Sequence, residues 1–169
     1  MKRTVLTFGV LSGLVSTLMM FITVLFIDQI GWDNGVVVGY TAIVLSLLFV
    51  YFGIRSYRDN QLGGKITFGR AFGVGILITL LSCLFYVISW EIEYATLFSD
   101  FADKYAAHAM EQARASGADQ ATMAAKAAEM ADMQKVMDNP LVRPLFIFIE
   151  PFPVGLVVTL ISAAVLRRK

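Results

Sequence analysis

Residues 71–90 have the sequence AFGVGILITLLSCLFYVISW, with no Asp, Glu, Lys, Arg or His among them. An α-helix rises about 1.5 Å per residue, so about 20 such residues cross the hydrocarbon core of a bilayer, which is roughly 30 Å thick. An uncharged stretch of this length predicts a transmembrane helix. This prediction decides the fold class of the whole chain.

Three further stretches have the same character, at residues 4–27, 36–54 and 145–166, and the last of them contains one acid, Glu150. Apolar residues make up 57% of the 169-residue chain, above the ~45–50% of soluble domains, and they lie in blocks. The sequence therefore predicts an all-α polytopic membrane protein with four transmembrane helices in a single membrane domain. The first stretch exceeds the ~7–15 apolar residues of a signal peptide, so we expect it to be retained as a span.

The distribution of charge predicts the orientation. Nine basic residues fall on one side of the membrane if the chain crosses it four times: Lys2, Arg3, Arg55, Arg58, Lys65, Arg70, Arg167, Arg168 and Lys169. Residues 91–143, on the other side, hold nine acids and five bases. Positive residues are retained in the cytoplasm, so both termini are predicted to be cytoplasmic. The net charge of +1 gives no signal for a nucleic-acid partner.

Residues 91–139 are predicted to form an extracytoplasmic helical hairpin between spans three and four. Gly117 suits a helix end and Asp119 suits the N-cap of a second helix. The first helix carries aromatic residues at helical spacing: Tyr94, Phe98, Phe101 and Tyr105. The second helix carries methionines at sevenfold spacing: Met123, Met130 and Met137. These stripes either pack within the hairpin and on the lipid, or form a docking surface for a partner.

Glycine pairs separated by three residues predict close helix contacts, because small residues let helices approach in lipid. Three such pairs occur in or beside the predicted spans: Gly9 and Gly13, Gly35 and Gly39, and Gly69 and Gly73. They serve either packing within the four-helix bundle or contacts between copies of the chain. The lipid bilayer and a second copy, or another membrane protein, are therefore the expected partners.

Glu150 is the one acid within a predicted span, and Pro151 and Pro153 follow it. Each proline removes a helical hydrogen bond and disfavours α conformation in the residue before it, so the span is predicted to be kinked or broken here. An acid at such a break is a candidate for coordinating an ion or a proton, with Arg143 or another polar group as its partner. The alternative is that Glu150 reaches the outer interface or caps the inner part of the helix.

The loop between spans two and three carries four basic residues, Arg55, Arg58, Lys65 and Arg70. Each base contributes about 1 kcal/mol of attraction to anionic lipid headgroups when it lies at the membrane surface. The alternative is that these residues do no more than set the topology.

The stretch from Gly64 to Gly75, GKITFGRAFGVG, resembles a bacterial membrane family filed as domain of unknown function 4199. A Pro-x-Pro-x-Gly entry to span four, residues 151–155 here, is also similar. The resemblance covers nearly the whole chain and implies a four-span protein of the bacterial inner membrane with a polar helical segment before span four. It implies no activity and no catalytic residues.

No Ser/His/Asp set, metal-ligand spacing or nucleotide loop is recognisable, so we expect no enzyme, no cofactor and no metal site. Three functional hypotheses remain. The first is a non-enzymatic membrane protein whose outer hairpin mediates assembly or partner contacts. The second is a small oligomeric transporter or channel that uses Glu150. The third is a lipid-responsive protein acting through its basic loop.

Overall fold

A computed structural model describes residues 1–168, so Lys169 of the predicted basic set lies outside the described residues. Within them the chain forms eight helices: α1 (Lys2–Leu25), α2 (Ile27–Ile30), α3 (Trp32–Gln61), α4 (Phe68–Thr96), α5 (Phe101–Ala115), α6 (Gln120–Asp138), α7 (Arg143–Ile149) and α8 (Pro151–Leu166). Residues 1–168 contain no β-strand beyond one isolated bridge between Ile66 and Arg168.

Four of these segments are long and apolar enough to cross a membrane: α1, α3, α4, and α7 together with α8. The predicted all-α, four-span fold is confirmed, and the chain is a multi-pass membrane protein. Two helices exceed the predicted boundaries. The α3 helix runs from Trp32 to Gln61, and α4 continues past Trp90 to Thr96. Residues 55–61 and 91–96, which extend the two helices beyond their predicted ends, contain no proline or glycine that would stop a helix.

Within the bundle, α3 and α4 pack against each other, and each also contacts α1 and α8. Polar side chains lie between the helices. Ser12 Oγ lies 2.7 Å from the Ser46 carbonyl oxygen and 2.8 Å from Ser82 Oγ, and the hydroxyl oxygens of Thr79 and Thr159 are 2.9 Å apart. These bonds satisfy hydroxyls that lipid could not satisfy.

Gly9 and Gly13 lie where α1 crosses α4. A Cβ at Gly9 would lie 2.6 Å from Leu81 Cδ2, and one at Gly13 would overlap Phe85. Gly69 and Gly73 make no such approach, since a Cβ at either would meet no atom of the described residues within 4 Å. The close-packing role predicted from spacing therefore applies to the first pair and not to this one.

Other glycines bring α3, α4 and α8 together. A Cβ at Gly75 would lie 2.8 Å from Thr159 Cγ2, and Cβ atoms at Gly53 and Gly155 would overlap Ile78 and Thr79. Spacing alone singles out none of these three, because each lies singly opposite a larger residue of the neighbouring helix rather than in a pair along its own helix.

The α5 and α6 helices form the predicted hairpin. Gln134 Nε2 donates to Asp103 Oδ1 across it (2.6 Å). Gly117 has a positive φ of 76° in the turn, which favours glycine. Asp119 Oδ1 accepts from the Thr122 amide (2.8 Å) at the start of α6. Hydrogen bonding to Thr122 lowers the pKa of the Asp119 carboxyl.

The spacing of the aromatic stripe predicted one continuous helix, but the stripe is divided between two helices. The Leu97 and Phe98 amides both donate to the Glu93 carbonyl oxygen (2.8 and 2.9 Å), and this closes α4. The chain then bends before α5 begins at Phe101, so Tyr94 lies on α4 while Tyr105 lies on α5.

Both ends of the described chain lie at the same end of the bundle, opposite the hairpin. The Met1 amino group donates to Gln61 Oε1 (2.7 Å). Ile66 and Arg168 exchange two backbone hydrogen bonds of 2.9 Å. We call this the terminal end and the opposite one the hairpin end.

We expect Gly13→Leu to destabilise the bundle by about 1–3 kcal/mol, the usual cost of overpacking, because its side chain would overlap Phe85. Gly73→Leu is the matched control, since it has the same helix-propensity gain but no close neighbour. Reversible unfolding in mixed micelles measures both. Equal unfolding free energies for the two variants would show that α1 does not cross α4 at Gly13.

Candidate functional site

A cavity of about 190 Å³ lies between α1, α3 and α4 in the hairpin half of the bundle. The carboxyl group of Glu150 reaches it from the junction of α7 and α8. Most of its remaining wall is apolar, and one side is aromatic. The aromatic residues lining it are Trp32, Tyr86, Trp90, Phe98, Phe101 and Tyr105.

Two glycines on α3 help to form the cavity. Gly35 and Gly39 both line the cavity, and a Cβ at Gly39 would meet no atom of residues 1–168 within 4 Å. A Cβ at Gly35 would lie 2.8 Å from Ile27 Cδ1 in the α1–α3 connection. The close helix packing predicted for this pair is therefore absent at Gly39, which borders open volume instead.

Glu150 interrupts the fourth span for one residue. The α7 helix ends at Ile149, and α8 begins at Pro151, a favoured first helical position because its missing amide has no partner to lose there. The Glu150 backbone keeps φ −68° and ψ −58°, and Phe152 is helical. Both residues therefore keep the α conformation that proline disfavours, and the predicted break of the span is confined to lost hydrogen bonds.

Tyr86 holds the Glu150 side chain. The phenol on α4 donates to Glu150 Oε2 at 2.8 Å, whereas Oε1 has no hydrogen-bond donor among residues 1–168. A single bond thus fixes the carboxyl between α4 and the helix break, with one oxygen free for another partner. Seen from the sequence, Tyr86 is an aromatic residue in an apolar span, and nothing in its spacing indicates this contact.

The sequence suggested Arg143 as a partner of Glu150, but Arg143 pairs with Glu91 instead. Its guanidinium forms a two-pronged pair with Glu91, with Nε–Oε1 and Nη2–Oε2 distances of 2.9 and 2.6 Å. It also donates to the Met137 carbonyl oxygen (2.7 Å) and lies 4.1 Å from the centre of the Tyr94 ring. Arg143 therefore fastens the end of α6 to α4, which leaves it no role at the cavity.

The aromatic stripe faces the cavity and the bundle. Trp32 stacks on Phe98 with ring centres 5.8 Å apart, and Trp90 meets Phe101 edge to face at 5.0 Å. Tyr105 stacks on Phe101 at 5.8 Å. These rings cover the hairpin end of the cavity, and we refer to Trp32, Trp90, Phe98, Phe101 and Tyr105 as the aromatic roof.

Contacts with α3 hold α5 over this roof. The His108 ring stacks on Trp32 with centres 6.2 Å apart, and His108 Nε2 lies 3.0 Å from Asp33 Oδ1. Gln112 Nε2 donates to the same oxygen at 3.1 Å. The single histidine thus contributes to the attachment of α5 to the start of α3.

The methionine stripe is likewise mostly covered. Met130 and Met137 are 5% and 2% exposed, and Met137 packs near Tyr94 and Trp90, while Met123 is half-buried. The proposed partner surface is therefore not a free surface, because its aromatic and methionine side chains supply the apolar contacts that hold the hairpin in place.

Glu93 is a buried acid that the sequence analysis missed. Its side chain is 0% exposed, and neither carboxyl oxygen has a hydrogen-bond partner within residues 1–168; the same holds for Trp90 Nε1. The predicted span stopped at Trp90, so Glu93 was counted in the polar segment. The sequence does contain one indication that Glu93 is buried. Glu93 follows Tyr86 by seven residues, which places both on one face of a continuous helix.

The basic loop divides into buried and exposed residues. Arg58 is only 7% exposed; it donates to Asp59 (2.6 Å) and to the Leu166 carbonyl oxygen (3.3 Å). It therefore joins α3 to the end of α8. The proposed contact of Arg58 with lipid headgroups is not possible while it is buried there. Arg55, Lys65 and Arg70 are exposed.

Comparison with known proteins gives a family. A family model described as "Protein of unknown function (DUF4199)" matches residues 7–168. No curated protein and no solved structure matches the chain.

Proposed function

The chain belongs to the family described as protein of unknown function (DUF4199), and we propose that it binds a small molecule in the cavity at Glu150 as a step in membrane transport. The observation that carries this proposal is the coincidence of three features at one point. The helical hydrogen bonding of the fourth span is interrupted, although its backbone stays helical, and an acid lies at the interruption and lines a cavity between the helices. Transporters commonly bind substrates where membrane helices are discontinuous.

The cavity supports binding rather than catalysis. Its side-chain oxygens belong to the Glu150 carboxyl, the Tyr86 and Tyr105 phenols and the hydroxyls of Ser16 and Thr23. Within the described chain, neither the histidine nor the cysteine lines it. An apolar pocket with a few convergent polar groups is the usual form of a small-molecule site. We therefore propose that the protein is not an enzyme.

In this proposal the hairpin covers the cavity. The two stripes that motivated a partner-binding role are the side chains that form the aromatic roof and anchor α6. Because those contacts are made within the chain, the geometry favours a hairpin that shields the cavity from water over one that presents an apolar surface to a partner. This cover is attached at Trp32, which stacks on His108 of α5, and at Arg143, which bonds to α4 and to the end of α6.

We also propose an orientation. The exposed bases Arg55, Lys65 and Arg70 lie at the terminal end, together with Lys2 and Arg3. The positive-inside rule assigns this end to the cytoplasm, so the hairpin and the cavity belong to the extracytoplasmic half. The membrane is proposed to be a bacterial inner membrane, as the family resemblance implies.

Filling the cavity tests its function. The two tryptophans of the chain, Trp32 and Trp90, both line the cavity, so intrinsic fluorescence reports ligand binding directly. We titrate three probes of one shape in lipid nanodiscs: choline, neutral 3,3-dimethyl-1-butanol and anionic 3,3-dimethylbutanoate. We expect a saturable change with at least one probe, and loss of that change in Gly39→Leu, whose side chain occupies the cavity.

The matched control is Gly73→Leu, the same substitution at a membrane glycine that does not line the cavity; it should retain binding. Uptake of the bound probe into proteoliposomes tests the transport step. No saturable response to any of the three probes, or equal responses from Gly39→Leu and the unaltered chain, contradicts a ligand site at this cavity.

Impermeant maleimide labelling tests the orientation. The only cysteine, Cys83, is buried in α4, so Cys83→Ala provides a background without thiols. We expect Ala118→Cys, in the hairpin turn, to react in intact cells, and Lys65→Cys to react only after the membrane is permeabilised. The reverse pattern would place the termini outside.

A further inference from the structure

We infer that the ligand of this cavity is a small organic cation of the quaternary ammonium class. The inference rests on the proposed function, since it names the chemistry of the ligand that the cavity would bind. It follows from the charge of the lining residues, from the aromatic roof, and from the scarcity of oxygen ligands.

The charge of the lining favours a cation. Glu150 is the only residue with a formally charged side chain among those of residues 1–168 that line the cavity, and no lysine or arginine does. Arg143, the nearest base along the chain, is held by Glu91. Glu150 Oε1 therefore has no protein cation opposite it. An anionic ligand would face this carboxyl in a medium of low dielectric, where repulsion is strong.

Glu93 is a second carboxyl, buried on α4, and it does not line the cavity. It lies on the same face of α4 as the cavity residues Tyr86 and Trp90, one turn beyond Trp90. Its two carboxyl oxygens have no partner among the described residues.

The aromatic roof favours an organic cation. Trp90 and Phe101 meet at an interplanar angle of 90°, so their rings form a corner, and Tyr105 extends it. Ring faces attract cations, most strongly in sites without water, and recognition of quaternary ammonium groups by such rings is the best-known use. The trimethylammonium group has no N–H to donate, so it needs few acceptors.

The same lining does not suit a metal ion. Calcium takes six to eight oxygen ligands, and magnesium requires six in octahedral geometry. The cavity lining offers one carboxyl, two phenols and the hydroxyls of Ser16 and Thr23 among mainly apolar side chains. The volume of about 190 Å³ is also below the roughly 300–1,000 Å³ of sites for drug-sized ligands, which limits the cation to a small one.

The three-probe titration separates this inference from the proposed function. Choline and 3,3-dimethyl-1-butanol have the same shape and differ by one positive charge. We expect choline to bind at least about tenfold more tightly than the neutral alcohol, because only choline gains from the carboxyl and the rings. Equal or tighter binding of the neutral or anionic probe overturns the cation inference and leaves the cavity as a ligand site. Absence of binding by all three overturns both.

Two variants assign the preference to particular groups. Glu150→Gln should weaken choline binding about tenfold and leave 3,3-dimethyl-1-butanol unchanged. Glu111→Gln makes the same chemical change at an exposed position of α5 and should alter neither affinity. Phe101→Leu keeps an apolar side chain but removes a ring, and should weaken choline more than the alcohol. If Glu150→Gln and Phe101→Leu both leave the ratio of the two affinities unchanged, the cation inference is wrong.

Discussion

The hydrocarbon core of a bilayer offers no hydrogen-bond partner, so each polar group that enters it must find one inside the protein. Many contacts of this bundle follow from that constraint, and the Glu93 carboxyl and Trp90 Nε1 are exceptions to it. The Ser12 hydroxyl bonds to the Ser46 carbonyl oxygen and to the Ser82 hydroxyl, where α1 meets α3 and α4. Nearer the hairpin, Thr17 and Ser89 oxygens are 2.6 Å apart. These bonds require close helix approach, and the glycines of α1 permit it.

At the hairpin end the helices leave a cavity between them. Gly39 removes a side chain from α3, and the proline after Glu150 interrupts the fourth span without bending its backbone out of helical conformation. Tyr86 supplies the carboxyl with one hydrogen bond. The hairpin then covers the opening with aromatic side chains. A polar group, a cavity and a roof thus occur together at the hairpin end of the bundle.

The sequence predicted the features that depend on local composition. Uncharged stretches identified the spans, and Gly117 with Asp119 identified the hairpin turn. It failed where a side chain has two chemically reasonable partners that are distant in sequence. Arg143 could pair with Glu150 or Glu91, and only the fold shows that it pairs with Glu91. The aromatic spacing indicated a stripe but not what covers it, and Glu93 was missed because the helix continues beyond its apolar part.

The central claim is that Tyr86 holds Glu150 inside the bundle, at the edge of the cavity. A double-mutant cycle with Tyr86→Phe and Glu150→Met, which removes the oxygens that accept from Tyr86, tests this most directly by reversible unfolding in lipid. Hydrogen bonds between membrane helices average about 0.6 kcal/mol in such cycles and reach about 1.7 kcal/mol. We predict a coupling free energy of about 0.6–1.7 kcal/mol between the two substitutions. Strictly additive effects would show that the two side chains do not meet, and would remove the basis for a ligand site at Glu150.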